Sequence, residues 1–236
     1  MQPRQAAPEI RSGSSTIIVS LSADRFGTYR AARSSDAAAL ALYEWNAALC
    51  ASFYVPLQAV EVGFRNACHG QMQRAYGSDW IIDDAFKGQD LRIHKEVESV
   101  SNRLAAAALQ KSPTREKFKP SAPQVVAGLS FGFWTSLLGK KYDRTFWRNA
   151  LNQSFPEYAR ITGGNISRPT AAGKFDEIRA FRNRVFHHEP IFRRKSIQAD
   201  YDRLLEAASW ISSDLRSWLA QQSAPCASLI AQGPPP

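Results

Sequence analysis

The sequence predicts an all-α fold in a single domain, because apolar residues recur at helical spacing through most of the chain. No stretch alternates polar and apolar residues with the period of two that a half-buried strand requires. The chain has 236 residues, of which 44% are hydrophobic and 22% charged, as in folded soluble domains. We therefore predict six to eight helices around one core.

Both ends of the chain lack the helical periodicity, and the C-terminus finishes in a glycine and three prolines. We predict flexible tails for residues 1–19 and 222–236. The helical domain between them is predicted to span residues 20–221.

Local signals delimit the helices. The run Ser34-Ser35-Asp36 suits the N-cap of the first helix. Pro56 suits the first turn of the second helix, and Gly77 suits its end. A third helix is predicted from about 90 to 111, followed by a basic, proline-rich loop. The later predicted elements are an apolar helix at 123–139, a basic and aromatic helix at 140–155, a linker at 161–170, a helix at 171–188 and a closing helix at 196–222.

The charge balance favours a polyanionic partner. Lys and Arg number 30 against 21 Asp and Glu, a net charge of +9, which suggests nucleic acid before an acidic membrane. The longest uncharged stretch, residues 45–60, contains Pro56 and resembles parts of two buried helices, so no membrane span is predicted. The polar N-terminus predicts no secretory signal, and we expect a cytoplasmic protein without a membrane partner.

The cysteines point to a reducing compartment. Cys50, Cys68 and Cys226 are odd in number and widely spaced, which fits reduced thiols and suggests no zinc site. We predict no metal and no other cofactor.

The helix at 171–188 carries the chemically suggestive residues. Asn183 and His187 lie nearly opposite its apolar stripe, Arg182 lies at the margin, and His188 points toward the core. We therefore expect His187 to be free to act and His188 to be packed. The apolar stripe consists of Phe175, Ile178, Phe181 and Val185.

Pro190 ends this helix just beyond the two histidines. The negative end of the helix dipole favours an imidazolium there, which suits a general acid. The alternative is that His187 and His188 only cap the last carbonyl groups. Periodicity does not decide between the two.

The segment from Arg182 to His187 matches the RxxxxH signature, with Asn after Arg, of the HEPN superfamily of α-helical ribonucleases. More narrowly, the chain resembles the Abi-like (abortive infection) bacterial family from about Leu21 to Leu219. The resemblance implies a HEPN-like helical bundle with additional helices. The matching stretches are LSADRFGTY, LYEWNAALCASFYVPLQAVEVGFRNACH, GLSFGFWTSLL and HHEPIF.

The resemblance implies a metal-independent endoribonuclease that cleaves RNA by attack of the RNA's own 2′-hydroxyl on the neighbouring phosphate. Such an enzyme would belong to a bacterial defence system, of the abortive infection or the toxin–antitoxin type. His187 then transfers protons, Arg182 stabilises the phosphate, and Asn183 orients His187. His188 is a supporting candidate. The alternative is a catalytically inactive HEPN module that binds RNA or a protein partner, against which the intact Arg182, Asn183 and His187 set argues.

Arg182 and His187 are about 140° apart on an ideal helix, so one helix does not aim both at one spot. Members of the superfamily often pair two such helices, which leads us to expect a homodimer with residues 172–188 near its two-fold axis. Glu189 stands where relatives controlled by a nucleotidyltransferase often carry Tyr. This departure leaves the control element open among a protein antitoxin, a small RNA and a phage trigger.

A second constellation lies on the helix after Pro56. Glu61, Arg65 and His69 are spaced i, i+4 and i+8, and Asn66 belongs to the same matching run. They form either a polar brace that reaches the RxxxxH residues or an ion pair on the rim of the core.

Two basic segments are candidates for RNA binding. In the first segment, cations alternate with aromatic rings. This pattern fits either a surface where the cations contact phosphates and the rings stack on unpaired bases, or an amphipathic helix with buried rings and solvated cations. The first segment contains Lys140, Lys141, Arg144 and Arg148 with Tyr142, Phe146 and Trp147, and the second is Arg193, Arg194 and Lys195.

Overall fold

Helices form the regular secondary structure in the residues that the computed structural model describes, 14–83, 90–111 and 118–236. No strand occurs among these residues, which confirms the all-α prediction, and they pack as one domain. The first five helices are α1 (Ser14–Ser20), α2 (Ala23–Arg30), α3 (Asp36–Ser52), α4 (Tyr54–Tyr76) and α5 (Leu91–Lys111).

The second half of the chain contains shorter helices. Two short 3-10 turns, Lys140–Tyr142 and Ile191–Arg193, and a π-helical segment, Asp143–Trp147, interrupt the α-helices. The α-helices are α6 (Ala122–Gly128), α7 (Phe131–Ser136), α8 (Arg148–Ser154), α9 (Pro156–Thr162), α10 (Arg168–Phe186), α11 (Ile197–Ile211), α12 (Ser213–Gln222) and α13 (Ala224–Gln232).

The predicted helix ends at Ser35 and Gly77 are confirmed. The Ser35 hydroxyl accepts a hydrogen bond from the Ala38 amide at 3.2 Å and so satisfies one of the free amides at the start of α3. Gly77 ends α4 with φ of +91°, a backbone conformation that favours glycine.

The described residues contain more than the predicted six to eight helices, partly because serine caps divide two of the predicted ones. Ser130 caps α7 by accepting from the Phe133 amide at 3.1 Å, and the predicted helix 123–139 breaks there. Ser212 accepts from the Asp214 and Leu215 amides and separates α11 from α12. A hydroxyl that bonds the backbone in this way favours a new helix start over continuation.

The predicted flexible tails are helical in most of their described residues, and residues 233–236 follow the last helix. Residues 14–19 belong to α1, which packs on α3 and buries Ile18. Residues 224–232 form α13, which packs against α3, α11 and α12 and buries Cys226 in the main core. These tertiary contacts stabilise segments whose own periodicity is too short to predict a helix. Residues 1–13 lie outside the described part of the chain.

The main core lies between α4, α10 and α11. The ring centroids of Phe64 and Phe175 are 3.9 Å apart, and Phe155 and Trp210 pack beside them. A smaller cluster joins α1, α2 and α3. The predicted core stripe of α10 is confirmed, since all four residues are buried: Phe175, Ile178, Phe181 and Val185.

Length and composition alone would allow one stretch of the described chain, Asp36–Tyr76, to cross a membrane. This stretch consists of two helices, α3 and α4, that meet at Phe53, and 33% of its most apolar window is buried in the fold. The core helices of soluble proteins pass the same test, so this is weak evidence for a span. The predicted absence of a span stays a prediction.

Candidate active site

The C-terminal end of α10 closes in a Schellman motif. The Glu189 amide donates to the Arg184 carbonyl at 2.9 Å, and the His188 amide donates to the Val185 carbonyl at 3.2 Å. His188 takes the left-handed position of the motif with φ of +57°, where glycine is usual. The chain therefore turns sharply after the RxxxxH motif.

The turn gives His188 a different environment from the one that the sequence predicts. Both His187 and His188 are exposed, so the prediction that His188 is packed in the core is wrong. The helix ends at Phe186, and the left-handed residue redirects His188 from its ideal helical position to the lining of a cavity of about 460 Å³.

Arg182 lies beside the same helix end and is partly exposed. Its guanidinium carbon lies 4.4 Å from the centre of the Phe186 ring, and its Nε lies 3.4 Å from a Glu61 carboxylate oxygen. This is an ion pair without a hydrogen bond, since Nε has no hydrogen-bond partner. Glu61 of α4 thus contacts the RxxxxH motif through Arg182 rather than through Asn183 or His187.

The rest of the predicted brace on α4 points elsewhere. Arg65 donates to the Asn66 side chain at 3.3 Å, and Nδ1 of His69 accepts from Trp80 Nε1 at 2.9 Å. Burial lowers the pKa of His69 and the Arg65 guanidinium lowers it further, which fits a neutral imidazole accepting that bond. Only Glu61 of this constellation therefore reaches the site in the described structure.

Asn183 and His187 are joined through the backbone. The His187 amide donates to the Asn183 carbonyl at 2.9 Å. Among the described residues no side-chain hydrogen bond connects Arg182, Asn183 and His187. A single subunit brings the three residues to one helix end but does not join their side chains.

The segment after the site is held down by a buried carboxylate. Asp200, on α11, has a side chain only 1% exposed that accepts hydrogen bonds from Arg194 and Arg203. Arg194 also lies 5.3 Å from the Phe181 ring centre. Arg194 therefore has a structural role, which corrects its prediction as an RNA-binding cation, whereas Lys195 is exposed.

Arg193 is exposed and donates to the Thr28 carbonyl at 3.1 Å. The same segment is tied to α3, because Asn46 Oδ1 accepts from the Ile191 and Phe192 amides at 2.9 and 3.1 Å. Asn46 is buried and 145 residues distant from Ile191 in the chain. No local pattern in the sequence predicts this connection.

The rings of the first basic segment are buried: Tyr142, Phe146 and Trp147 belong to the core, so base stacking on them is not what the structure provides. The four cations divide between two clefts. Lys140 and Lys141 line one of them, where Lys141 is bound to Asp90. Arg144 and Arg148 line the other.

The second cleft gains an arginine that sequence inspection missed. Arg74, near the end of α4, joins Arg144 and Arg148 around a cavity of about 280 Å³, together with the buried amide Gln71. None of the described residues that line this cleft is acidic, and none of the three arginines forms an ion pair with a described residue. We call Arg74, Arg144 and Arg148 the arginine cleft.

No family model, no curated protein and no solved structure matches this chain. Within the described residues, no three His, Cys, Asp or Glu side chains are grouped as metal ligands. The HEPN resemblance thus remains an inference from sequence motifs.

Changing His188 to glycine is expected to stabilise the protein by about 1 kcal/mol, because glycine removes the strain of the left-handed backbone. His187→Gly is the matched control. His187 has φ of −90°, so glycine there is expected to destabilise by about 0.5–1 kcal/mol. Urea unfolding measures the change in the free energy of unfolding for both variants. Equal losses of stability in the two variants would contradict the assigned turn.

Proposed function

We propose that this protein is a metal-independent HEPN endoribonuclease of a bacterial defence system, either of the abortive infection or of the toxin–antitoxin type. The observation that carries the proposal is the exposed end of α10. There the two histidines stand in solvent beside a partly exposed Arg182, rather than sealed in the core. The net charge of +9 is consistent with an RNA substrate.

In the proposed reaction the substrate 2′-oxygen attacks the adjacent phosphorus, and the bond from phosphorus to the 5′-oxygen breaks. His187 acts as the general acid and donates a proton to the departing 5′-oxygen. A second imidazole takes the proton of the 2′-hydroxyl, supplied by His188 or by the His187 of a second subunit. The products are a 2′,3′-cyclic phosphate and a free 5′-hydroxyl.

Arg182 is proposed to stabilise the charge that develops on the phosphate. Its Nε lies 3.4 Å from a Glu61 carboxylate oxygen, and no hydrogen bond joins the guanidinium to a described residue. Its terminal nitrogens therefore remain available for two phosphate oxygens. Glu61 is proposed to hold the guanidinium in place between turnovers.

We further propose that the enzyme acts as a cytoplasmic homodimer controlled by an antitoxin, either a protein or a small RNA. The reason for the dimer is that one subunit leaves the side chains of Arg182 and His187 unconnected. Two copies of the exposed α10 end would supply both groups to one RNA.

One observation favours the second candidate, an inactive HEPN module that binds RNA or a protein. The Arg182 guanidinium is already paired with Glu61 and lies against Phe186, as a structural arginine would be. In that case Arg182 contributes packing and charge balance but no catalysis.

Incubating purified protein with single-stranded RNA in EDTA tests the proposal. We expect fragments that end in 2′,3′-cyclic phosphate. Salt-sensitive RNA binding without any product would favour the inactive module, and absence of both binding and cleavage would remove both candidates.

The arginine cleft is expected to supply sequence-independent affinity for RNA. Changing Arg74, Arg144 and Arg148 together to Gln should weaken binding and make the slope of log K against log salt shallower by about 2, because three phosphate contacts are lost. Arg216→Gln, an exposed arginine on α12, is the control. Equal RNA affinities and equal salt slopes in both variants would show that the arginine cleft does not bind RNA.

A further inference from the structure

The cavity beside His188 lies between α2, α3 and the end of α10. Its volume is about 460 Å³, within the range of small-molecule sites. Four of its eleven described lining residues are Tyr or Phe, and none of the eleven is acidic. We call it the aromatic cavity; its described lining is Arg25, Tyr29, Tyr43, Asn46, Ala47, Cys50, Ala51, Tyr54, Val185, Phe186 and His188.

Rings at the mouth of the aromatic cavity are left in solvent. Tyr54 is 52% exposed and Phe186 is 37% exposed, with their ring centres 6.0 Å apart. Deeper in the cavity, the rings of Tyr29 and Tyr43 meet edge to face at 5.2 Å. Exposed rings leading into an aromatic recess suit a flat, aromatic ligand that can stack.

A buried amide lies in the wall of the aromatic cavity with a poorly satisfied donor. Asn46 is 4% exposed, and its Oδ1 is fully used by the backbone of the segment after the site. Its Nδ2 lies 3.8 Å from the Cys50 sulfur, which is a weak acceptor, and the amide also lies beside the Tyr29 hydroxyl, whose pKa it lowers. A buried amide nitrogen in this situation favours a ligand that offers a carbonyl oxygen.

Neighbouring groups add to this donor character. The Tyr29 hydroxyl keeps its proton at neutral pH, as an ordinary tyrosine does, and burial raises its pKa further, to about 12. Arg25 is exposed at the cavity and forms no ion pair with a described residue. Donors and a positive charge without a carboxylate therefore line an aromatic recess.

The position of His188 connects the aromatic cavity to the proposed active site. His188 lines the cavity, and its neighbour His187 stands at the same helix end. A nucleotide whose phosphate contacts the histidines would carry its base within reach of the cavity mouth. The left-handed backbone of His188 makes this arrangement by turning its side chain away from the helix axis.

We propose that the aromatic cavity binds one nucleobase of the RNA next to the bond that is cut, with a keto oxygen of guanine or uracil accepting from Asn46 Nδ2. This inference rests on the proposed ribonuclease function and deepens it, because it adds a base preference to a cleavage site. Stacking on Tyr54 and Phe186 would hold the plane of the base.

Calorimetric titration of the full chain with the four nucleoside 3′-monophosphates tests the proposal. We expect the guanosine and uridine compounds to bind more tightly than the adenosine and cytidine compounds, and inorganic phosphate to bind more weakly than any of them. Ala47→Leu places bulk in the aromatic cavity and should weaken the preferred nucleotides at least tenfold. Ala48→Leu, exposed on the same helix and outside the cavity lining, is the matched control.

The outcomes separate this inference from the proposed function. Nucleotide binding that Ala47→Leu removes supports the cavity even if the protein cuts no RNA, in which case the ribonuclease proposal fails alone. Equal nucleotide affinities in Ala47→Leu and Ala48→Leu overturn the proposal that the cavity binds a base. RNA cleavage with the same base preference in both variants overturns it as well. Thermal unfolding of each variant confirms that it is folded.

Discussion

Replacing His187 with alanine is expected to lower RNA cleavage by about 10²–10⁴-fold, the range for loss of a general acid or base. His187 is exposed at the end of α10, and its side chain forms no hydrogen bond or ion pair with a described residue, so the variant should remain folded. Cleavage rates are measured under single-turnover conditions with a labelled single-stranded RNA. In bacteria, the same change should relieve any toxicity on induction.

The control is His94→Ala. His94 lies on α5, remote in sequence from the site, and Nε2 of this histidine is 3.6 Å from the Glu98 carboxylate. Its loss should leave cleavage unchanged. His188→Gly forms a third arm: a loss as large as that of His187→Ala would make His188 the second proton-transfer group. Full activity in His187→Ala would remove the site assignment.

Replacing Asp200 with alanine is expected to destabilise the protein by roughly 3 kcal/mol, the low end for breaking a buried ion pair, because the partly exposed Arg194 and Arg203 lose their shared carboxylate. Asp200 accepts from Arg194 and Arg203 at once, and Arg203 also pairs with Glu177 on α10. The loss should therefore loosen the segment that follows the histidines. Chemical denaturation monitored by circular dichroism measures the change.

Asp202→Ala is the matched control for this prediction. Asp202 is exposed two positions further along α11 and accepts only from Gln198 among the described residues. Its replacement should change stability by less than about 0.5 kcal/mol. A similar small effect for Asp200→Ala would show that its ion pairs are worth no more than surface pairs.

The sequence carried most of the information about the helices themselves. The apolar stripe through Phe175 and Val185 predicted which face of α10 is buried, because helical periodicity and burial are local properties. Ser35 and Gly77 marked helix ends for the same reason. The predictions failed at Ser130 and Ser212, where a capping hydroxyl competed with an otherwise continuous pattern.

The C-terminal helix was missed for a different reason. It is only nine residues long, and it is stabilised by packing on α3, which lies far away in the chain, and on α11 and α12. The Ser223 hydroxyl at its start shares a buried hydrogen bond with Tyr201 at 2.7 Å. Such long-range contacts leave no periodic signal in a single segment.

By itself, the sequence determined the all-α class, the core face of α10 and the residues that stand at the end of that helix. Only the tertiary structure decided that His188 lines a cavity, that Arg182 pairs with Glu61, and that Arg74 belongs to a basic cleft. The physical reason is distance along the chain. Helix formation depends on neighbours within about four residues, whereas a cavity or an ion pair between helices depends on how distant segments pack.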